Sequence, residues 1–131
     1  MNKTISTTGR IIFALPLAAY GLMHFAMASM MAQYVVPKWL PAGEFFVYLT
    51  GAALLAAAVS LFINKFTHLA GLGLFLFMLV LLVTVHIPGI SNPDQNISQM
   101  AMTMTLKDTI IMGASLMIYG WNAPAKKVAV A

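Results

Sequence analysis

Residues 45–63 read FFVYLTGAALLAAAVSLFI, a run of 19 residues without a charged side chain. A helix that crosses the hydrocarbon core of a bilayer needs roughly 20 apolar residues. Membrane-spanning strands alternate apolar and polar residues, and this run does not alternate. Because lipid offers no hydrogen-bond partners to the backbone, a continuous apolar run is expected to form a helix. The stretch therefore predicts one transmembrane helix.

Three further apolar stretches flank this run, and short segments rich in Pro, Gly and Asn separate all four. We therefore predict an all-α fold, an integral membrane four-helix bundle that forms a single transmembrane domain over residues 1–131. The predicted spans are approximately 11–34, 44–63, 68–88 and 105–122. The uncharged, methionine-rich segment 97–105 either extends the fourth helix or lies along the membrane interface.

The composition of the chain agrees with a membrane protein. Of the 131 residues, 61% are hydrophobic and 8% are charged, whereas soluble domains average about 25% charged residues. The chain has no cysteine, which excludes disulfides and thiolate metal sites in it. The net charge of +4 comes from scattered residues, so we do not expect nucleic-acid binding.

The basic residues predict the orientation of the bundle. With four spans, both termini and the turn between the second and third helices share one side of the membrane. That side carries five basic residues and the other side carries two: Lys3, Arg10, Lys65, Lys126 and Lys127 against Lys38 and Lys107. The positive-inside rule therefore predicts cytoplasmic termini, and we expect a bacterial inner (cytoplasmic) membrane. A rival interpretation takes the N-terminal run as a signal peptide with a cleavage site after Ala26-Met27-Ala28.

Four ionisable residues are predicted to lie at similar depth in the outer half of the bundle: His24, His86, Asp108 and Glu44. Burying such groups in a membrane is costly, which makes them candidates for a functional polar cluster. The two imidazoles would suit the polar end of a quinone. A carboxylate nearby would favour the charged form of an imidazole, and burial would oppose it. A structural alternative remains open: Glu44 and Asp108 would stabilise helix N-termini, and Lys107 would extend to the interface.

Methionines suggest a second, weaker possibility. Met100, Met102 and Met104 alternate, and thioethers together with imidazoles suit Cu(I). Methionine is also a common apolar filler, and a period of two would scatter these side chains around a helix. We therefore predict no metal site. Small residues at four-residue spacing, Ala52, Ala56 and Ser60, predict close helix packing in the second span.

Short segments in a fixed order give the chain a family resemblance. They are GLMHF at 21–25, VP and LP within 36–41, VYLTG at 47–51, VHIP at 85–88, and LKD at 106–108 followed by Gly113. The chain resembles the DoxX and DoxX-like family of small four-helix membrane proteins. The resemblance implies a membrane bundle, and some relatives are implicated in quinone-linked sulfur oxidation or membrane oxidoreductase complexes. Relatives often carry a glutamate shortly after the Thr-Gly of the second helix, where this chain reads Ala52-Ala53-Leu54-Leu55.

These observations together favour an accessory subunit of a quinone-linked membrane oxidoreductase system, with quinone contacting His24 and His86. The expected partners are lipids and larger membrane subunits. The alternatives are a non-enzymatic assembly or stabilising subunit, or a small transporter or copper-handling protein. No phosphate-binding loop, nucleophile elbow or dinucleotide fingerprint occurs in the sequence. The chain is therefore not expected to catalyse a reaction alone.

Overall fold

A computed structural model describes residues 2–124, and these residues contain helices and connections but no strand. The elements in chain order are α1 (Lys3–Ala26), α2 (Ala28–Tyr34), α3 (Gly43–Ile63), α4 (Thr67–Leu81), a π-helical turn (Leu82–His86), α5 (Ile87–Gly89) and α6 (Gln95–Asn122). The elements from α4 to α5 form one continuous helix, Thr67–Gly89. Within the described range, four helices are long and apolar enough to cross a membrane: this one, α1, α3 and α6. This confirms the predicted helical class. The orientation in the membrane stays a prediction, and Lys126 and Lys127 lie outside the described residues.

The bundle consists of two closely packed antiparallel helix pairs, α1 with α3 and α4 with α6, joined through the contact of α3 with α4. Glycines mark where the backbones approach. A Cβ atom at Gly51 would lie 3.0 Å from the carbonyl oxygen of Gly21, and one at Gly71 would lie 2.7 Å from that of Ser115. The predicted close packing at Ala52 and Ala56 is wrong, because both residues are exposed and the close approach occurs at Gly51.

The first helix begins about two turns before the predicted span at residue 11. The side chain of Asn2 accepts hydrogen bonds from the amides of Thr4 and Ile5, which starts α1 at Lys3. Arg10 therefore lies inside the helix, and its guanidinium donates to the carbonyls of Leu61 and Phe62 at the end of α3. This contact satisfies carbonyls that α3 itself leaves unpaired.

The fourth long helix begins ten residues before the predicted boundary at 105. Asp94 is its N-cap and accepts hydrogen bonds from the amides of Asn96 and Ile97. The segment 97–105 is thus an extension of the helix, not an interfacial stretch. Asp108 lies near the middle of α6, so the idea that it stabilises a helix N-terminus is wrong.

Two irregular turns shape the end of the bundle that is remote from the N-terminus. Met27 has a non-helical backbone and separates α1 from α2. The π-helical turn at 82–86 follows α4 directly and ends at His86, which is buried. A π turn inserts one extra residue into a helix and is frequent at functional sites. It turns the His86 side chain toward α6, where its partner lies.

Candidate functional site

A cavity of about 380 Å³ lies between the helix pairs and is lined by residues of α1, α2, α3, α4, the π-helical turn and α6. Most of its lining is aliphatic or aromatic. The polar side chains that line it are Tyr20, His24, Thr50, Thr84, His86, Lys107 and Asp108. A mainly apolar cavity with a few convergent polar groups is the usual form of a small-molecule site.

The shortest polar contact among the cavity residues joins the π-helical turn to α6. Nδ1 of His86 lies 2.5 Å from Oδ2 of Asp108. Asp108 is fully buried, and His86 is 7% exposed. A carboxylate without a partner in such surroundings would be very costly, because burial removes its hydration. The imidazole and the carboxylate therefore hold each other in fixed positions.

Lys107 contributes the positive charge of the site. Its Nζ lies 3.3 Å from Oδ1 of Asp108 and 4.5 Å from the centroid of the Tyr20 ring. The contact with Oδ1 is an ion pair without hydrogen-bond geometry, so this oxygen has no hydrogen bond within the described residues. The ion pair therefore stays within α6, and the cation–π contact links α6 to α1 across the cavity.

His24 is fixed by a bond within its own helix. Its Nδ1 lies 2.7 Å from the backbone carbonyl oxygen of Tyr20. A carbonyl oxygen only accepts, so Nδ1 carries the proton and donates it. The ring is half-buried and lines the cavity. Its other nitrogen, Nε2, has no hydrogen-bond partner within residues 2–124.

The structure brings three of the four predicted residues to one cavity, namely His24, His86 and Asp108. It does not bring Glu44, which is exposed in the first turn of α3 and lines a separate groove together with Lys38. Glu44 lies on another side of its helix, so the prediction that it joins this cluster is wrong. An acidic residue in a first turn is favourable for the helix itself.

Two members of the site were not predicted from the sequence. Lys107 was expected to extend to the interface, yet it faces Asp108 and lines the cavity. Its position beside an acidic residue inside an apolar stretch was the available signal. Tyr20 lies one helical turn before His24, and this four-residue spacing could have indicated that the two share a face.

The methionines do not form one group. Met104 lines the cavity, whereas Met102 is exposed on the outside of α6. Met23 and Met31 also line the cavity. Within the described residues, no group of three or more His, Cys, Asp or Glu side chains could hold a metal ion.

The fold and the site define a small membrane protein of four long helices with a polar-ended cavity between them. The DoxX family model matches residues 5–87, more than half of the chain. The chain belongs to the DoxX family, as its sequence segments predicted. The matched segment contains His24 and His86 and ends before Lys107 and Asp108. No curated protein and no solved structure matches the chain.

Proposed function

We propose that this DoxX-family protein is a quinone-binding accessory subunit of a membrane oxidoreductase system in the bacterial inner membrane. The observation that carries the proposal is the cavity, whose lining is mainly apolar and includes the His86–Asp108 pair, Lys107 and His24. A quinone has the matching form, because its ring and tail are apolar and its oxygens are polar. It is also soluble in the lipid that surrounds such a bundle.

Energetics support a functional use of these residues. An ionisable group inside a membrane protein is costly and tends to mark a ligand or proton pathway. Here the bundle keeps a carboxylate fully buried and an ammonium group beside it. Apolar side chains would fill the same space at lower cost, since replacing a buried ion pair by packed hydrophobic residues is often neutral or stabilising.

The chemistry that the sequence offers supports an accessory role. The chain has no cysteine and no dinucleotide-binding motif. Electrons would therefore reach or leave a bound quinone through a partner subunit. This subunit's own residues would hold the ring oxygens and exclude water from them.

The test uses Trp39, which lines the cavity. In a Trp121→Phe background it is the single tryptophan, and a bound quinone quenches its fluorescence. Titration with a decyl-substituted benzoquinone in lipid nanodiscs should give saturable quenching. His24→Ala and His86→Ala should each weaken the apparent affinity at least tenfold, which corresponds to about 1.4 kcal/mol per site.

The matched control is His68→Ala. His68 is half-buried in the first turn of α4 and does not line the cavity, so its removal should leave the titration unchanged. Unchanged affinity in both His24→Ala and His86→Ala would remove the proposed site.

A non-enzymatic stabilising subunit is the second candidate, and a groove on the outside of the bundle favours it. Ala53, Ala56 and Gly73 are exposed there between α3 and α4. Small residues allow another transmembrane helix to approach closely. This function predicts that deleting the protein lowers the abundance of a co-purifying membrane partner and that Ala56→Leu does the same. Normal partner levels in both strains would count against it.

A further inference from the structure

We propose that the cavity selects the hydroquinone form of its ligand over the oxidised quinone. The inference rests on the proposed quinone-binding function and adds which redox form is held. It follows from the ring nitrogens that the two cavity histidines leave available.

His24 presents an acceptor. Because Nδ1 donates its proton to the carbonyl oxygen of Tyr20 at 2.7 Å, the neutral ring has a bare lone pair on Nε2. That nitrogen has no partner within the part of the chain that the structure describes. The half-buried ring lines the cavity, so its free acceptor is available to a ligand there.

His86 presents a second acceptor for the same reason. An ionised carboxylate only accepts, so Nδ1 of His86 donates to Oδ2 of Asp108. The ammonium group of Lys107 lies 3.3 Å from Oδ1 and pairs with the carboxylate. With the ring neutral, the carboxylate and the ammonium group balance in charge. A protonated ring would add an unbalanced charge in a buried place, which is costly. Nε2 of His86 is therefore also without a proton.

The two redox forms of the ligand differ in what they offer these nitrogens. A quinone carbonyl oxygen accepts hydrogen bonds and cannot donate one. It can therefore accept a hydrogen bond from Lys107, but it leaves both Nε2 atoms without a hydrogen-bond donor. A hydroquinone hydroxyl donates to an imidazole nitrogen and still accepts from the ammonium group. Sites built to pair with a hydroxyl discriminate strongly against a ligand that lacks it. Because the His24 ring is only half-buried, we expect a preference of about tenfold or more and not the larger factors of fully enclosed sites.

The experiment measures dissociation constants of decyl-benzohydroquinone and decyl-benzoquinone for the full chain in nanodiscs, by calorimetry under anaerobic conditions. The expected result is at least tenfold tighter binding of the hydroquinone. Tighter binding of the reduced form raises the midpoint potential of the bound couple, and a tenfold preference corresponds to about 30 mV.

Asparagine variants isolate the acceptor. In His24→Asn and His86→Asn the side-chain amide takes the place of the Nδ1 donor, so the bond to Tyr20 or Asp108 is kept while Nε2 is lost. Each variant should weaken hydroquinone binding more than quinone binding, so the preference for hydroquinone falls. The matched His68→Asn variant should keep the wild-type preference.

The outcomes separate the two proposals. Equal affinities for the two forms, or tighter binding of the quinone, would overturn the inference while leaving the quinone site standing. An unchanged preference in both asparagine variants would overturn it as well. If neither form binds, the proposed function itself is refuted.

Discussion

Replacing Gly71 by alanine is expected to separate α4 from α6. A Cβ atom at this position would lie 2.7 Å from the carbonyl oxygen of Ser115 and 2.8 Å from the amide nitrogen of Tyr119. Both are backbone atoms of α6 and cannot turn away as a side chain could. Ordinary contact begins at 3.4 Å. The two helices therefore have to move apart by several tenths of an ångström.

The cost of this movement can be compared with a control on the same helix. Overpacking of a close contact typically costs about 1–3 kcal/mol. Alanine also has a better helix propensity than glycine, by about 1 kcal/mol. At Gly73 an added Cβ would meet nothing within 4 Å, so Gly73→Ala gains the propensity alone. Because the propensity term is common to both variants, Gly71→Ala should be about 1–3 kcal/mol less stable than Gly73→Ala.

The assay is reversible unfolding in mixed micelles of dodecyl maltoside with increasing SDS, followed by far-ultraviolet circular dichroism. The two alanine variants and the wild type are compared at the same detergent mole fractions. If Gly71→Ala proves as stable as Gly73→Ala, the close backbone approach of α4 and α6 at Gly71 is refuted.

Three further perturbations test other contacts. Asp108→Leu should lower the free energy of unfolding by about 3 kcal/mol, because it leaves Lys107 without its partner in the cavity. Adding Lys107→Met should restore most of the lost stability. A further loss of stability in the double variant would contradict the ion pair. Arg10→Met should cost about 1.5 kcal/mol by removing charged hydrogen bonds to the end of α3, so wild-type stability would refute that contact. The chain has no cysteine, which suits labelling with a membrane-impermeant maleimide. Ser91→Cys should react in intact spheroplasts and Thr4→Cys only after lysis, and the reverse pattern would invert the predicted orientation.

The helices were predictable where hydropathy alone decides, and their starts were not. The segments 4–8 and 95–105 give only a weak apolar signal, although both are helical. The signal that marks these starts is capping chemistry, since Asn2 and Asp94 each accept amide hydrogen bonds of the first turn. The hydropathy profile therefore placed Asp108 at the entry of a helix in which it is central.

The site was predictable in its residue types and depth but only partly in its geometry. A helix that is apolar on every side gives no indication of which face turns inward. Glu44 illustrates the consequence, because it was assigned to the cluster by depth and lies on another surface. The π-helical turn that ends at His86 had no sequence signal that we recognised, yet it directs the ring to Asp108. The contact between His86 and Asp108 depends on how the helices pack, which the sequence pattern does not specify.

Photoaffinity labelling with an azidoquinone tests the quinone cavity most directly. The reagent is activated on the protein in nanodiscs, and the labelled peptides are mapped by mass spectrometry. We expect labels on cavity residues of α1 near His24 and of α6 near Lys107, and their loss when excess unlabelled quinone is present. Labelling confined to the outer groove at Ala53 and Ala56, or labelling that excess quinone does not displace, would contradict a quinone site between the helix pairs.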